Sequence, residues 1–344
     1  MEETLNTQLN VEKIVKDILQ TIEREREREI VSRRFGLFDR KETLEQIGEL
    51  LGITRERVRQ LEKAVVARLK ALAEEDLPHM NEVKSVLHNH LNELGNIARI
   101  SDLSARLTKD NTKLDQSRVS FLAQLTPGLA IIDDNDHFFH SAGLAVVHTE
   151  KNIREHVSKI IDAIKKIGAP TDIEAIAAKA GQKDHKHTQA LAGISKNIAT
   201  LNGRWGLTKW PLVNPKNIRD KIYVILKEHT KPMHFNEISG AIKGSDFKRK
   251  DVTTQAIHNE LIKDKRFVLI GRGIYALTEW GYEKGTVSDT IAEILKKEGG
   301  PLHRDEIVKR VLKSRQVKET TILLNLQGKP QFKRVSKATY ALEA

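Results

Sequence analysis

A run of charged and amide side chains at residues 55–60, Arg-Glu-Arg-Val-Arg-Gln, has the chemistry to recognise nucleic acid. Arginine can form paired hydrogen bonds with guanine, glutamate can accept from the amino group of cytosine, and glutamine can bond adenine or the backbone. Arg55, Glu56, Arg57, Arg59 and Gln60 share the outward face of a predicted helix, in its first turns. A recognition helix meets base edges and flanking phosphates with these turns. The run therefore predicts a contact with DNA in the major groove.

Two helices and a tight turn are needed to present this run, and residues 43–70 carry the pattern for them. Thr43 can cap the first helix, with Gln46 three residues later as its capping-box partner. Gly52 supplies the turn, and Thr54 can cap the second helix. Apolar side chains recur at helical spacing on one face of each helix: Leu44, Ile47 and Leu51, then Val58, Leu61, Val65 and Leu69. This is the pattern of a helix-turn-helix.

Residues 11–75 as a whole resemble region 4 of primary sigma factors. The resemblance rests on REREREIVSRRFGLF followed by TLEQIGELLGITRERVRQLEKAVVARLK. Region 4 reads the minus-35 promoter element and holds the flap of the RNA polymerase beta subunit, so the resemblance implies duplex DNA and the polymerase beta flap as partners. It also implies that Arg55, Glu56, Arg59 and Gln60 read bases and that Arg57 contacts phosphate.

The sequence departs from region 4 in two respects. Where the family has a basic residue four positions after the glutamine, this chain has Ala64, and Lys63 lies one place earlier. Lys63 is therefore the candidate for a displaced phosphate contact. Only 10 residues precede the first predicted helix, and they lack the aromatic-rich segment with which a complete sigma factor melts the minus-10 element. We expect that the chain does not open promoters alone.

One plan of about 60 to 70 residues recurs four times after residue 80. Each copy has three predicted helices followed by two segments of alternating periodicity, which indicate a β-hairpin. This is the order of a winged helix. The predicted domains are 1–78, repeat A (79–150), repeat B (151–214), repeat C (215–284) and repeat D (285–344). The expected fold class is mainly α: an N-terminal helix-turn-helix followed by tandem winged-helix domains with small β-hairpin wings.

Repeats C and D also resemble the HARE-HTH family of winged helices, which includes the delta-type accessory subunit of bacterial RNA polymerase. In repeat C the resemblance rests on KPMHFNEISGAI and RFVLIGRGIYALTEWG, and in repeat D on GPLHRDEIVKRVL and QFKRVSKATYAL. The second helices of these repeats are predicted to begin at His234 and Leu302. Repeats A and B keep only the plan.

Positive charge is concentrated in the last three repeats. The formal net charge is −2 for residues 1–78 and −3 for repeat A, but +6, +5 and +5 for repeats B, C and D, giving +11 for the chain. A surface of this sign attracts phosphate backbones without regard to sequence, and solubility alone is the alternative explanation. The candidate phosphate contacts in these repeats are Arg204, Lys248, Arg249, Lys250, Arg272, Lys333, Arg334 and Lys337.

Three other patterns have a structural explanation that we favour. Gly271-Arg272-Gly273 with Ala276 fits a dinucleotide fingerprint, but the alternating residues after it predict a hairpin turn. The cluster at 133–140 holds Asp133, Asp134, Asp136, His137 and His140 yet lacks the glycine and glutamate of a calcium loop, so a polar turn is expected. The alternating charges of EREREREI at 23–30 predict a solvated helix surface.

Composition excludes several classes of protein. The 344 residues contain no cysteine, which excludes disulfides, thiolate metal sites and cysteine nucleophiles. The chain shows no long apolar run and no recognisable phosphate loop or catalytic motif, so we expect no membrane contact, cofactor, metal, small-molecule substrate or enzymatic activity.

The combined patterns predict a cytoplasmic, nucleoid-associated protein of bacterial transcription that binds double-stranded DNA with sequence preference. An RNA polymerase accessory subunit of the delta type, acting by protein contact, is the main alternative. A binding protein associated with the nucleoid or with DNA modification is a third hypothesis.

Overall fold

A computed structural model describes residues 8–247, 249, 251–282 and 284–343. The fold is mainly α-helical with small antiparallel sheets, as the sequence predicts. The chain divides into two compact units, Met1–Thr208 and Lys209–Ala344. The finer domain boundaries at residues 78, 150, 214 and 284 stay predictions. Within the described ranges, no helix has both the length and the apolarity to cross a membrane.

Four helices form the amino-terminal domain: α1 (Val11–Gln20), α2 (Glu25–Phe35), α3 (Leu44–Leu51) and α4 (Arg55–Glu75). The first three of these helices are short, and α4 continues for 21 residues. Its buried side chains include Val58, Val65 and Leu69, three of the four residues assigned to the apolar stripe, and Leu61 is partly buried. The helix-turn-helix pattern is therefore confirmed at the level of the elements.

Repeats A and B complete the first unit. Repeat A contains α5 (Met80–Leu94), β1 (Ile97–Arg99), α6 (Ile100–Leu107), α7 (Lys113–Leu125), β2 (Leu129–Ile132) and β3 (Ser141–Leu144). Its sheet has the order β1-β3-β2. Repeat B contains α8 (Glu150–Ile167), α9 (Ile173–Ala180), α10 (His185–Ile194), β4 (Ile198–Leu201) and β5 (Arg204–Leu207), with β4 and β5 antiparallel.

Repeats C and D form most of the second unit. Repeat C contains α11 (Ile218–His229), β6 (Met233–His234), α12 (Phe235–Gly244), α13 (Thr254–Lys263), β7 (Phe267–Gly271) and β8 (Ile274–Leu277). Repeat D contains α14 (Val287–Glu298), β9 (Leu302–His303), α15 (Arg304–Ser314), α16 (Glu319–Gly328), β10 (Phe332–Ser336) and β11 (Thr339–Leu342). The two sheets have the orders β6-β8-β7 and β10-β11-β9.

Short strands before the second helices were not predicted. His234 and Leu302, expected in helices, lie instead in β6 and β9, each of which adds a third strand to its hairpin. β1 has the same place in repeat A. Each strand has only two or three residues, too few for an alternating pattern to separate from the helix that follows.

A continuous apolar core joins the amino-terminal domain to repeat A. It includes residues of α1, α4, α5 and α7, and Phe121 of α7 is completely buried with its ring centroid 5.0 Å from that of Phe35. Arg118 of α7 is also buried and donates from Nε to the Leu37 carbonyl oxygen at 2.9 Å. Its Nη2 lies 3.0 Å from a carboxylate oxygen of Glu12. Repeat A therefore packs against the amino-terminal domain through α7.

Aromatic residues of the hairpins pack inward. Trp205 of β5, Tyr275 of β8 and Tyr340 of β11 are all buried. Burial of large rings contributes strongly to the stability of small cores, which have little other apolar area. These residues therefore hold their hairpins on the neighbouring helices.

Candidate nucleic-acid interface

Local hydrogen bonds place the start of α4 at a defined angle to α3. The Thr43 backbone N–H donates to Gln46 Oε1 at 2.9 Å, and the Gln46 N–H donates to Thr43 Oγ1 at 3.3 Å, which completes the predicted capping box. Gly52 ends α3 with φ 63°, a left-handed value that glycine adopts without strain. Thr54 Oγ1 accepts from the Arg57 N–H at 3.2 Å, so α4 begins at the predicted cap.

A small apolar core holds the two helices together. Ile30 of α2, Ile47 of α3 and Val58 of α4 are fully buried in it. Gly48 allows the closest approach, because a Cβ atom at this position would lie 2.7 Å from the Ile53 carbonyl oxygen. Arg26 donates from Nη2 to the Leu51 carbonyl oxygen at 2.5 Å, at the end of α3. Neither Gly48 nor Arg26 was predicted as part of the site, although a glycine inside a helical pattern can have a packing role.

The outward face of α4 carries the predicted base-reading residues. Arg55, Glu56 and Gln60 are exposed, and Arg59 is partly exposed. Glu56 and Arg59 form a two-point ion pair, with Arg59 Nε to Glu56 Oε2 at 2.8 Å and Arg59 Nη2 to Glu56 Oε1 at 2.5 Å. The hydrogen bond from Arg59 lowers the pKa of the Glu56 carboxyl, and the same bond raises the pKa of Arg59. Both groups are therefore charged at neutral pH.

Weaker contacts connect the remaining members of this face. Gln60 Nε2 donates to Glu56 Oε1 at 3.5 Å, and Arg57 Nη1 donates to Gln60 Oε1 at 3.4 Å. Among the described residues, Arg55 has no hydrogen-bond or ion-pair partner, and its side chain is free to bind an external group. Lys63 is exposed one turn further along the helix. None of these side chains faces the protein interior.

Comparison with known families assigns this part of the chain. Residues 24–71 match the family model described as sigma-70, region 4. They form a sigma-70 region 4 domain. The helices α2, α3 and most of α4 belong to it, while α1, which the predicted range of 11–75 included, lies outside the matched segment.

Relatives of the region 4 domain are RNA polymerase sigma factors. One is RNA polymerase sigma factor SigA from a Bacillus species, 44% identical over 57 residues that make up 16% of this chain and 15% of that factor. Another is RNA polymerase sigma factor sigB of Arabidopsis thaliana, 48% identical over 46 residues, or 13% of this chain and 8% of that factor. The similarity thus spans less than a fifth of this chain and less than a fifth of either relative.

Five of the other predicted phosphate contacts lie on the hairpins, and the remaining three belong to the segment between α12 and α13. Arg204 is exposed at the start of β5 in the first unit. In the second unit Arg272 is exposed at the turn between β7 and β8, and Lys333 and Arg334 are exposed on β10. Lys337 is exposed at the following turn. Arg249 is exposed, whereas Lys248 and Lys250 lie outside the described residues.

Two of the three patterns discounted in the sequence have the expected structures. Gly271-Arg272-Gly273 forms the turn between two strands, and a Cβ at Gly273 would lie 2.5 Å from His234 Nε2. The acidic cluster forms the turn between β2 and β3, where Lys196 Nζ donates to Asp134 Oδ1 at 2.8 Å. Within the described ranges, no three His, Asp or Glu side chains are placed to hold a metal ion.

Two side chains have partners in other parts of the chain. Glu27, in the alternating segment predicted to be solvated, is only 6% exposed and accepts from Arg68 Nη2 of α4 at 2.7 Å. His187 of α10 stacks on His148 with ring centroids 5.0 Å apart. Both partners come from distant parts of the chain, so no spacing in the sequence indicates them.

Proposed function

We propose that this protein binds double-stranded DNA with sequence preference in bacterial transcription, and that α4 of the region 4 domain reads the target in the major groove. Arg55, Glu56, Arg59 and Gln60 are assigned to base edges, and Arg57 and Lys63 to phosphates. The proposal contains no catalytic step, cofactor, metal or small-molecule substrate. It places the protein in the cytoplasm, associated with the nucleoid.

One observation carries the proposal: the side chains suited to base edges lie together and outward on the first turns of a supported helix. The apolar face of the same helix is buried, so the helix has one orientation relative to its domain. Rigid support matters because base readout depends on hydrogen-bond geometry at fixed positions.

Repeats C and D are proposed to be winged helices of the HARE-HTH type that add affinity. Their net charges of +5 each and the exposed Arg272, Lys333, Arg334 and Lys337 suit phosphate contacts. Such contacts are largely independent of sequence. When weak binding sites share one chain, engagement of one raises the effective concentration of the others, so overall affinity increases.

Selection of duplexes from a random pool by the purified full-length protein tests the proposal. We expect enrichment of a short common motif, and loss of that enrichment in the Arg59→Ala variant. Recovery of unrelated sequences by the wild-type protein would reject sequence reading.

A polymerase accessory role is the second candidate, favoured by the match of residues 24–71 to RNA polymerase sigma factors. On this proposal the region 4 domain also contacts the polymerase beta flap. A mobility-shift assay separates the two functions: binding to naked duplex supports the first, and binding only when RNA polymerase is present supports the second.

A further inference from the structure

In the proposed winged-helix order, the third helix of each repeat corresponds to the recognition helix, the element that enters the major groove in helix-turn-helix proteins. These helices are α7, α10, α13 and α16. The second, sixth and ninth residues of a helix fall on one face, because 3.6 residues make a turn. The surroundings of this face differ between the two units.

In repeat A the face is covered by the amino-terminal domain. Its residues are Leu114, Arg118 and Phe121, of which Arg118 is 5% exposed and Phe121 is completely buried. Arg118 is bonded to the Leu37 carbonyl, and Phe121 packs on Phe35. α7 therefore has no free recognition face.

In repeat B the same face rests on repeat A. Its residues are Lys186, Ala190 and Gly193 of α10. The Gly193 carbonyl accepts a hydrogen bond from Arg99 Nε, and a Cβ at Gly95 would lie 2.6 Å from the Lys186 carbonyl oxygen and 3.1 Å from the Ala190 Cβ. The approach between α10 and repeat A is too close to admit a DNA duplex.

In the second unit the equivalent faces are open among the described residues. α13 presents Gln255, Asn259 and Ile262, all exposed, and Gln255 Nε2 donates to Asn259 Oδ1 at 3.2 Å. Glutamine and asparagine amides can pair with adenine, and an aliphatic side chain can contact the thymine methyl group.

The corresponding face of α16 has different chemistry. It presents Thr320, Leu324 and Gln327, and Leu324 at its centre is 69% exposed. α16 therefore lacks the pair of adjacent amides that α13 offers. Basic residues also flank the α13 face, with Lys263 exposed on the last turn of the helix and Arg272 at the turn of the following hairpin.

We propose that α13 is a second DNA-reading helix and that repeats A and B are an internal scaffold whose third helices bind the chain itself. The occupant of the α13 face is duplex DNA, which the net charge of +5 on repeat C favours. This inference rests on the proposed DNA-binding function and assigns its second contact surface.

Site-specific crosslinking tests the assignment, and the chain has no cysteine of its own to interfere. A photo-crosslinker is attached to single cysteines introduced in the full-length protein as Gln60→Cys, Gln255→Cys, Lys186→Cys or Thr320→Cys. With a selected duplex, we expect crosslinks from Gln60→Cys and Gln255→Cys and none from Lys186→Cys. Thr320→Cys is the matched control on α16.

The outcomes separate the two proposals. Crosslinks from position 60 without crosslinks from position 255 overturn the inference but leave the reading by α4 intact. Crosslinks from position 186, or equal yields from positions 255 and 320, also overturn it. If the unlabelled wild-type protein binds no duplex, both proposals fail.

Affinity gives an independent measure. The double variant Gln255→Ala/Asn259→Ala should bind the selected duplex about tenfold more weakly, the effect of losing one base contact. Thr320→Ala/Gln327→Ala, a matched change on α16, should leave the affinity unchanged. Because all four side chains are exposed, neither variant should alter the melting temperature. Equal affinities for the two double variants would contradict the assignment.

Discussion

The Glu56–Arg59 pair joins two of the predicted base-reading residues on the outward face of α4. Two short hydrogen bonds hold the guanidinium group over the first turn of α4 before any DNA is bound. Pre-ordering a long side chain reduces the conformational entropy that binding would otherwise cost. The pair therefore favours a single placement of Arg59 against a base.

Replacement of Arg59 by alanine should reduce affinity for the preferred duplex by about 1–3 kcal/mol and broaden the range of sequences bound. The physical reason is loss of paired hydrogen bonds to one base. Fluorescence anisotropy with preferred and scrambled duplexes measures both effects. Lys70→Ala, an exposed change on the same helix beyond the first turns, is the control. Equal weakening on both duplexes would show that Arg59 contacts only the backbone.

Three histidines meet where repeat B contacts repeat A. His148 is 2% exposed, its ring stacks on that of His187, and the His156 ring lies edge-on to His187 at 6.4 Å between centroids. Desolvation, with a smaller repulsion from the other two rings, lowers the pKa of His148 to about 4. Burial likewise lowers the pKa of His156, with His187 and Lys159 adding to the shift and Glu155 opposing it.

Acid should therefore destabilise the first unit. Because the folded pKa of His148 lies below the ordinary histidine value of about 6.5, the unfolded chain binds the proton more tightly. The stability is present above about pH 6.5 and is lost as the pH falls towards 4, with roughly 2 kcal/mol lost by pH 5. Urea unfolding at pH 7 and pH 5 measures this change. His148→Leu should reduce the pH dependence, and an unchanged dependence would exclude His148 as its source.

The helix-turn-helix depends on one close approach between elements. Gly48 of α3 faces the turn before α4, where the Ile53 carbonyl leaves no space for a methyl group. The turn sets the angle at which α4 leaves α3, so this contact determines how the recognition face is presented. A change in the angle between α3 and α4 would displace every proposed base contact of α4.

Substitution of Gly48 by alanine should destabilise the first unit by about 1–3 kcal/mol, because overpacking forces the helices apart. Thermal unfolding measures the loss. Gly240→Ala in α12 is a matched helical change with open space around its Cβ, and we expect about 0.5–1 kcal/mol of stabilisation there. If Gly48→Ala does not lower the melting temperature relative to the wild-type protein, the steric argument is wrong.

Elements set by local chemistry were predictable from the sequence. The caps at Thr43 and Thr54 and the turn at Gly52 depend on side chains within a few residues, and all three occur where they were predicted. The covering of α7 and α10 was not predictable, because their amphipathic patterns show that a face is buried but not what buries it. The sequence predicted which side chains of α4 are exposed. It did not predict the ion pair between Glu56 and Arg59.

Charge acts at the scale of the whole molecule. The basic residues of the hairpins in repeats C and D are exposed, and their effect on DNA binding depends on counterion release, so it should appear in the salt dependence. The salt dependence of the affinity reports the number of phosphate contacts, and it can be measured without knowing the target sequence.

Replacing Arg272, Lys333, Arg334 and Lys337 with glutamine should make the plot of log affinity against log salt concentration less steep. We expect the magnitude of its negative slope to fall by up to about 3.6. Anisotropy titrations of the full-length protein at several salt concentrations give the slope. The control is neutralisation of Lys84, Lys109 and Lys113, exposed residues of repeat A, which should leave it unchanged. An unaltered slope in the quadruple variant would show that the hairpins do not touch DNA.

The shared core of the first unit limits how this protein can be divided. Side chains of α7 bury surfaces of α1, α2 and α4 that would otherwise face water, including the ring of Phe35 at the end of α2. A fragment ending at residue 78 would expose this apolar surface and lose the buried bonds of Arg118. The sigma-like portion therefore cannot be separated from repeat A without exposing apolar surface. A recombinant protein that receives this portion must include the chain through at least residue 125, the end of α7, to keep that surface buried.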